Sequence, residues 1–248
     1  DTWAWGYPDS FEYDMVKCEV GASSKEKSMV LFPRVHVARA DVSDSLSNNW
    51  AVIISGGVRP EVNWERYWNN CSAMYKCLRN VYNYRRDRIF VLMSDGVSPE
   101  SDRHLNNGWY ESSPQDLDGD GNDDINYSAA KANISTVFNY LRDHVDASEQ
   151  VLIFITDHGF KNNDESFIGL WNDSSISATE LAEEIKKING LSRKHVVLGQ
   201  CYSGGFIGPL SSCRNITVSA SSAADEMSVS MENRAYDRFL HCAGAFGS

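Results

Sequence analysis

A cysteine and a histidine, each placed directly after an apolar stretch, are the residues of this chain best suited to chemistry. Cys201 follows a valine-rich run that begins at Lys194, and His158 follows an apolar run that begins at Val151. A thiolate is a strong nucleophile, and an imidazole can assist its formation and later protonate a departing amine. The pair predicts acyl transfer. The alternative is a buried structural cysteine and an unrelated loop histidine.

Two neighbouring parallel strands would bring these two residues together. Both apolar runs are typical of fully buried strands, and a helix-length segment separates them, as in a right-handed βαβ crossover. Ligands bind outside the carboxyl ends of the strands in open parallel sheets, which is where Cys201 and His158 are expected. Glycines follow both residues, at Gly159 and at 204–205. Without a Cβ they allow a substrate to approach the backbone closely.

Helical and strand periodicities surround these two motifs. They predict an α/β fold with strands at residues 50–55, 89–94 and 151–160 and helices at 63–82, 128–145 and 177–188. Ser177 and Glu180 have the spacing of a capping box, which predicts that the last of these helices begins there.

The two active-site motifs resemble those of the caspase-fold (clan CD) cysteine peptidases, most closely the legumain or asparaginyl endopeptidase (C13-like) family and its bacterial relatives. The motifs are Thr-Asp-His-Gly at 156–159 and Gln-Cys-Tyr-Ser-Gly-Gly at 200–205. The resemblance implies a three-layer αβα sandwich with a mostly parallel central sheet. It implies a cysteine endopeptidase that acts on protein or peptide substrates through a thioester and cleaves after Asn or Asp. The likeness also covers strands at residues 49–57, 89–95 and 215–226.

The resemblance implies a role for individual residues. Cys201 would be the nucleophile and His158 its proton-transfer partner, while the backbone N–H groups of Gly159 and Cys201 would form the oxyanion hole. Arg66 would line the pocket for the P1 side chain, the residue before the cleaved bond. Ser219 and Asp237 are further candidates for that pocket.

Two departures from the family pattern leave the orientation of the histidine and the substrate preference open. In the family, an asparagine orients the histidine. Counting along the motif places Trp64 at that position, and Asn63 could take over the role only if the turn shifts. The glutamate that follows the family's nucleophile is replaced by Tyr202. Asp237 in the pocket would favour a basic P1 residue. Arg66 could instead pair with a neighbouring glutamate, Glu61 or Glu65, on a solvated surface.

An acidic stretch at residues 116–124 matches the first part of an EF-hand-type calcium loop. Carboxylates alternate along it and a glycine stands at the sixth position, but a tyrosine replaces the glutamate expected at the twelfth. The motif predicts a structural Ca²⁺ that orders the loop, with a solvated acidic turn as the alternative. The expected ligands are Asp116, Asp118, Asp120, Asn122 and Asp124.

The chain is expected to comprise a peptidase domain at residues 49–248 preceded by an aromatic-rich extension at residues 1–48. The extension is predicted to pack on the main domain, and a carbohydrate-binding face or a propeptide-like cover are alternatives. Its aromatic residues are dense near the start of the chain, at Trp3, Trp5, Tyr7, Phe11 and Tyr13.

Composition limits the partners and the cellular location. A net charge of −11 over 248 residues argues against nucleic acid as a partner, and no apolar run reaches membrane-spanning length. Six cysteines, with one reserved as nucleophile, leave an odd number for pairing. N-x-S/T triplets permit glycosylation, which favours a secreted, periplasmic, cell-surface or endolysosomal protein. They begin at Asn70, Asn126, Asn133, Asn172 and Asn215.

Two other functions remain compatible with the sequence. A transamidase or peptide ligase would use the same thioester but pass the acyl group to an amine instead of water. A non-catalytic module could bind glycans or proteins, although the presence of both Cys201 and His158 argues against it.

Overall fold

The computed structural model describes residues 47–230, 236, 237 and 239, together with the backbone of residues 15–16 and 30–31. The α-helices are α1 (Glu65–Asn80), α2 (Lys131–His144), α3 (Ala178–Lys186) and α4 (Ile207–Leu210), and short 3₁₀ helices span Pro60–Val62, Arg86–Arg88 and Ser203–Phe206. The strands are β1 (Met15–Val16), β2 (Val30–Leu31), β3 (Trp50–Ser55), β4 (Ile89–Met93), β5 (Arg103–His104), β6 (Tyr110–Glu111), β7 (Gln150–Ile155), β8 (Gly159–Asn162), β9 (Glu165–Leu170), β10 (Ser174–Ser177), β11 (Arg193–Leu198) and β12 (Ile216–Ala220).

A five-stranded parallel sheet forms the centre of the molecule. Its strand order is β12-β11-β7-β3-β4, and every neighbouring pair runs parallel. All six residues of β3 are buried, as expected for a central strand covered on both faces. The predicted α/β class with a mostly parallel sheet is therefore confirmed.

Helices cover both faces of this sheet, giving three layers. On one face α1 packs its buried side chains, among them Tyr75 and Leu78, against Ile53 and Phe154. On the other face α2 and α3 pack against the alternate residues of the same strands. Because successive residues of a strand point to opposite faces, each central strand contributes to both halves of the core.

The capping box at the start of α3 forms as predicted. The Ser177 hydroxyl accepts the N–H of Glu180, and the Glu180 carboxylate accepts the N–H of Ser177. This reciprocal pair satisfies two helix-end donors and fixes the point at which the chain turns from β10 into the helix that leads to β11.

The strand predicted at residues 151–160 is shorter than expected. β7 ends at Ile155, and a separate strand, β8, begins at Gly159 and pairs antiparallel with β9, which itself pairs with β10. The break falls at Asp157, whose carboxylate accepts the backbone N–H groups of Gly57 and His158. The chain leaves the sheet at this point with His158 at the bend.

The N-terminal extension falls largely outside the described residues. Of the extension at residues 1–48, only the short antiparallel pair β1–β2 and residues 47–48 belong to the described part.

A membrane-crossing helix, long and apolar enough to span a bilayer, does not occur among the described residues.

Candidate active site

The histidine and cysteine motifs leave neighbouring strands at the same edge of the sheet. Ile155 and Leu198 are paired at the ends of β7 and β11, and His158 and Cys201 are each the third residue beyond that pair. The two loops touch, because a Cβ atom on Gly159 would overlap the carbonyl oxygen of Cys201. The structure thus places the two motifs side by side.

A backbone carbonyl holds the imidazole of His158. Its Nε2 lies 2.9 Å from the carbonyl oxygen of Val62, and the Tyr67 ring stands edge-on to it at 5.3 Å between centroids. A carbonyl can only accept, so the neutral ring carries its proton on Nε2 and leaves Nδ1 as the acceptor. Burial lowers the pKa of His158 below its usual value, which favours this neutral, basic form near pH 7.

Cys201 is half-buried and its thiol is free. Sγ lies 3.7 Å from the carbonyl oxygen of Ser228, and the N–H of Tyr202 donates to the carbonyl of Glu226 at 2.8 Å. Tyr202 itself adopts a left-handed conformation with φ of 57°. The chain therefore turns sharply after Cys201, with residues 226–228 alongside.

Arg66 lies in a buried ion pair, so the alternative in which it pairs with Glu61 or Glu65 is wrong. Its Nε is 3.1 Å from a carboxyl oxygen of Asp237, and one terminal nitrogen donates to the Tyr67 hydroxyl at 2.9 Å. Both Arg66 and Asp237 are largely shielded from solvent. The first turn of α1 thus brings a cation beside the histidine loop.

The second oxygen of Asp237 is held by two further donors. The side-chain amide of Asn70 donates to it at 2.7 Å and the Thr156 hydroxyl at 3.0 Å. Burial raises the pKa of Asp237, while the Arg66 guanidinium opposes that rise. The Asp237 carboxylate therefore accepts hydrogen bonds from a guanidinium, an amide and a hydroxyl inside the protein.

Sequence reasoning missed Asn70, which drew notice only as the start of an N-x-S/T triplet. Asn70 is fully buried, so in the folded protein its side chain is inaccessible to glycosylation. The spacing of four between Arg66 and Asn70 on α1 was the available clue, because residues at i and i+4 share one helix face. No comparable clue existed for Val62, which acts through its backbone.

The remaining pocket candidates occupy different positions. Ser219 is half-buried on β12, paired in register with Val197, whose side chain packs in the layer beneath α1. Asn63 does not reach the histidine; its amide donates to the Ser94 hydroxyl and to the carbonyl of Asp102. The imidazole's hydrogen-bond partner is the residue before it, Val62.

The acidic loop brings three of its five expected calcium ligands together. One carboxylate oxygen from each of Asp116, Asp118 and Asp120 lies within 4.8 Å of the others. The Asn122 amide donates to Asp120 instead, and the Asp124 carboxylate is engaged by Arg86 at 2.6 Å. Clustered carboxylate oxygens suit a hard cation such as Ca²⁺, so the first three residues fit the predicted ion.

The fold and the site together define a class of protein. A parallel α/β sandwich with histidine and cysteine loops at one sheet edge is the architecture of a caspase-like cysteine hydrolase. Residues 49–243 match the Peptidase C13 family, and the chain belongs to that family. It is therefore a legumain-like cysteine peptidase. A search of curated proteins found no match to this chain.

Proposed function

We propose that this protein is a cysteine endopeptidase in which Cys201 and His158 act as a catalytic dyad through a thioester acyl-enzyme. The observation that supports it best is the contact between His158 Nε2 and the Val62 carbonyl. That contact leaves Nδ1 as the basic nitrogen of a ring whose loop touches the Cys201 loop. Peptide-bond hydrolysis is the chemistry that such a pair performs in a peptidase.

The reaction proceeds in two halves. The Cys201 sulfur attacks the scissile carbonyl as its proton passes to Nδ1 of His158, and the negative charge on the carbonyl oxygen is stabilised by the N–H groups of Gly159 and Cys201. The C–N bond then breaks as the imidazolium protonates the departing amine, leaving a thioester. Water, deprotonated by the same nitrogen, attacks the thioester and releases the acid and the thiol.

The ion pair between Arg66 and Asp237 favours Asn or Asp as the P1 residue. Nε of Arg66 faces Asp237, and one terminal nitrogen faces Tyr67. The other guanidinium N–H groups have no hydrogen bond to any residue that the structure describes, so they can donate to a carboxamide or carboxylate oxygen of the substrate. Asp237 is already neutralised by Arg66 and held by Asn70 and Thr156. It is therefore poorly placed to select a basic P1 residue, and Ser219 is proposed as a further lining residue.

The proposal includes a structural calcium ion bound by Asp116, Asp118 and Asp120. Backbone N–H groups of the loop donate to these carboxylates, and the guanidinium nitrogens of Arg79 and Arg86 lie 4.0 Å from Asp118 and 3.5 Å from Asp120. A bound cation would neutralise the charge that these contacts leave. Ca²⁺ would supply charge neutralisation and order to the loop. The reaction is assigned to the sulfur and the imidazole alone.

The proposed location is an exported one: secreted, periplasmic, cell-surface or endolysosomal. Three of the N-x-S/T asparagines, Asn126, Asn172 and Asn215, are exposed in the folded chain and are therefore accessible to glycosylation. Fractionation of the native source, followed by detection of the protein with an antibody, tests this location. Recovery in the cytosol alone contradicts it.

The catalytic proposal is tested with a peptide library varied at P1 and three proteins: wild type, Cys201→Ala and His158→Ala. Wild type is expected to cleave after Asn and Asp, and both variants to lose at least about 1,000-fold in kcat, in line with other dyads and triads. Cleavage that survives in Cys201→Ala contradicts the proposal. Product analysis with an added amine separates hydrolysis from transamidation, since only the latter incorporates the amine.

A further inference from the structure

Asp157, the residue before the catalytic histidine, is buried and has no part in the mechanism above. Only 4% of it is exposed. One carboxyl oxygen accepts the N–H of Gly57 at 2.6 Å, and the other accepts the N–H of His158 at 2.5 Å. The side chain therefore links the end of β7 to the loop that follows β3.

That loop supplies the partner of the imidazole. From Gly57 it runs through the 3₁₀ helix Pro60–Val62 to Val62, whose carbonyl contacts His158 Nε2. The loop is internally braced, because the N–H of Arg59 donates to Gly57 and the N–H of Val62 donates to Arg59. A displacement at Gly57 is consequently transmitted to the Val62 carbonyl.

Gly57 is held where only a glycine fits. Its φ is +68°, in the left-handed region, and a Cβ atom there would overlap the side chain of Asn63. The unusual conformation directs the Gly57 N–H at Asp157. Without the carboxyl group, this N–H would be buried and unpaired, which is costly.

We propose that Asp157 is a positioning residue for the proton-transfer step, and that its carboxyl group holds the His158 backbone and the Gly57–Val62 loop in register. One oxygen fixes the amide of the histidine, and the other fixes the loop that receives its ring nitrogen. The Asp157 side chain thus holds both the backbone of His158 and the loop that contacts its ring. This inference rests on the proposed Cys201–His158 dyad.

Replacement of Asp157 by asparagine tests the role of the carboxyl group without changing the size of the side chain. Asp157→Asn preserves the shape but replaces one acceptor oxygen with an NH₂ group, which would face a backbone N–H donor. Asp157→Glu keeps the acid but moves its oxygens by one methylene. Asp173→Asn is the matched control, because Asp173 pairs through its exposed carboxylate with Arg59 of the same loop. Its own backbone has a φ of 53°, a conformation that asparagine tolerates well.

The measurements are kcat and KM with the best P1 peptide, thermal melting, and the rate of Cys201 alkylation by iodoacetamide as a function of pH. Asp157→Asn is expected to lose about 100-fold in kcat, the cost of a displacement of about 1 Å in an active site, while KM changes less than about 3-fold. Asp157→Glu is expected to fall between Asn and wild type. Asp173→Asn is expected to retain wild-type values.

The pH profile supplies a readout that a merely structural role would leave unchanged. The Val62 hydrogen bond favours the protonated imidazole, so its loss is expected to move the acid limb of Cys201 alkylation to lower pH in Asp157→Asn. The charged groups that otherwise act on His158, namely Arg59, Arg66 and Asp237, are the same in every variant. Because Asp157→Glu keeps a carboxyl group at this position, a shift that Asp157→Asn and Asp157→Glu share reports on the position of the ring and not on the loss of a charge.

Several outcomes overturn the inference. They are an unchanged kcat in Asp157→Asn, an unchanged acid limb despite a lower kcat, and failure of both Asp157 variants to fold, since a residue needed only for folding does not position the histidine.

Cys201→Ala and His158→Ala are assayed in parallel. If they are inactive while Asp157→Asn is fully active, the dyad stands and only this inference fails. If His158→Ala is active, the dyad itself is wrong.

Discussion

The guanidinium of Arg66 and the carboxylate of Asp237 lie 3.1 Å apart, although 171 positions separate the two residues in the chain. The pair joins the first turn of α1 to a segment near the end of the described residues. It lies beside the histidine loop, since Arg66 also contacts Tyr67, whose ring meets His158. The proposed P1 pocket and the stability of the fold therefore depend on the same ion pair.

Arg66→Ala is expected to reduce both activity and stability. The change leaves Asp237 buried without its cation, which costs roughly 3 kcal/mol in comparable pairs, and removes the proposed P1 donor. We expect kcat/KM for peptides with Asn at P1 to fall by more than about 100-fold and Tm to fall by several degrees.

Arg85→Ala is the matched control for Arg66→Ala. Arg85 pairs with Asp87 on the surface, where ion pairs contribute little. Its activity and melting temperature should match those of wild type. Equal cleavage of the Asn peptide by Arg66→Ala and wild type would remove Arg66 from the pocket.

Gly159→Ala is expected to damage the proposed oxyanion hole. The added methyl group would overlap the Cys201 carbonyl, so the histidine and cysteine loops must separate. Loss of one oxyanion donor typically lowers kcat by about 100- to 1,000-fold, and we expect a loss of that order here. Gly208→Ala serves as the control, because its Cβ would meet no atom within 4 Å. If Gly159→Ala retains full kcat, the close approach of the Gly159 and Cys201 loops is not required for catalysis.

The stability of the protein should depend on pH through Asp157. Burial raises the pKa of Asp157 to about 7 in the folded protein, whereas an unfolded aspartate titrates near pH 4. Between these values the folded protein keeps a proton that the unfolded chain has released. Raising the pH through this window therefore lowers the free energy of unfolding.

Melting curves of wild type and Asp157→Asn between about pH 4 and about pH 7 measure this contribution. The fall in Tm with rising pH should be smaller in the variant, because it lacks the titrating group. Part of the slope should remain, since burial also raises the pKa of Asp237. Parallel curves for the two proteins would show that Asp157 titrates alike in the folded and unfolded states.

Removal of calcium should lower the melting temperature. An ion at about 100 times its dissociation constant adds about 2.7 kcal/mol to stability, which corresponds to a Tm shift of several degrees for a domain of this size. EGTA added to a calcium-loaded sample is expected to produce that shift in wild type.

Asp118→Asn should abolish the response to EGTA, because Asp118 belongs to the carboxylate cluster. Asp123→Asn makes the same charge change at an exposed position outside the cluster and should leave the response intact. A loaded wild-type sample whose Tm ignores EGTA would argue against a structural ion.

The sequence by itself determined the sheet and the order of the two active-site motifs. The valine- and isoleucine-rich runs predicted β3 and β4 to within one residue, and the Ser177–Glu180 spacing predicted the start of α3. These features are local. Burial, periodicity and helix capping depend on side chains within a few positions of one another, so they can be read along the chain.

Tertiary structure alone decided which groups surround the two motifs. The Val62 carbonyl holds His158, Asn70 and Thr156 hold Asp237, and Arg86 diverts Asp124 from the acidic cluster. A backbone carbonyl has no residue type that a motif could specify, and buried polar side chains pair with whichever partner the packing brings within reach. Those partners come from distant parts of the chain, so their choice depends on how helices and loops pack around the sheet.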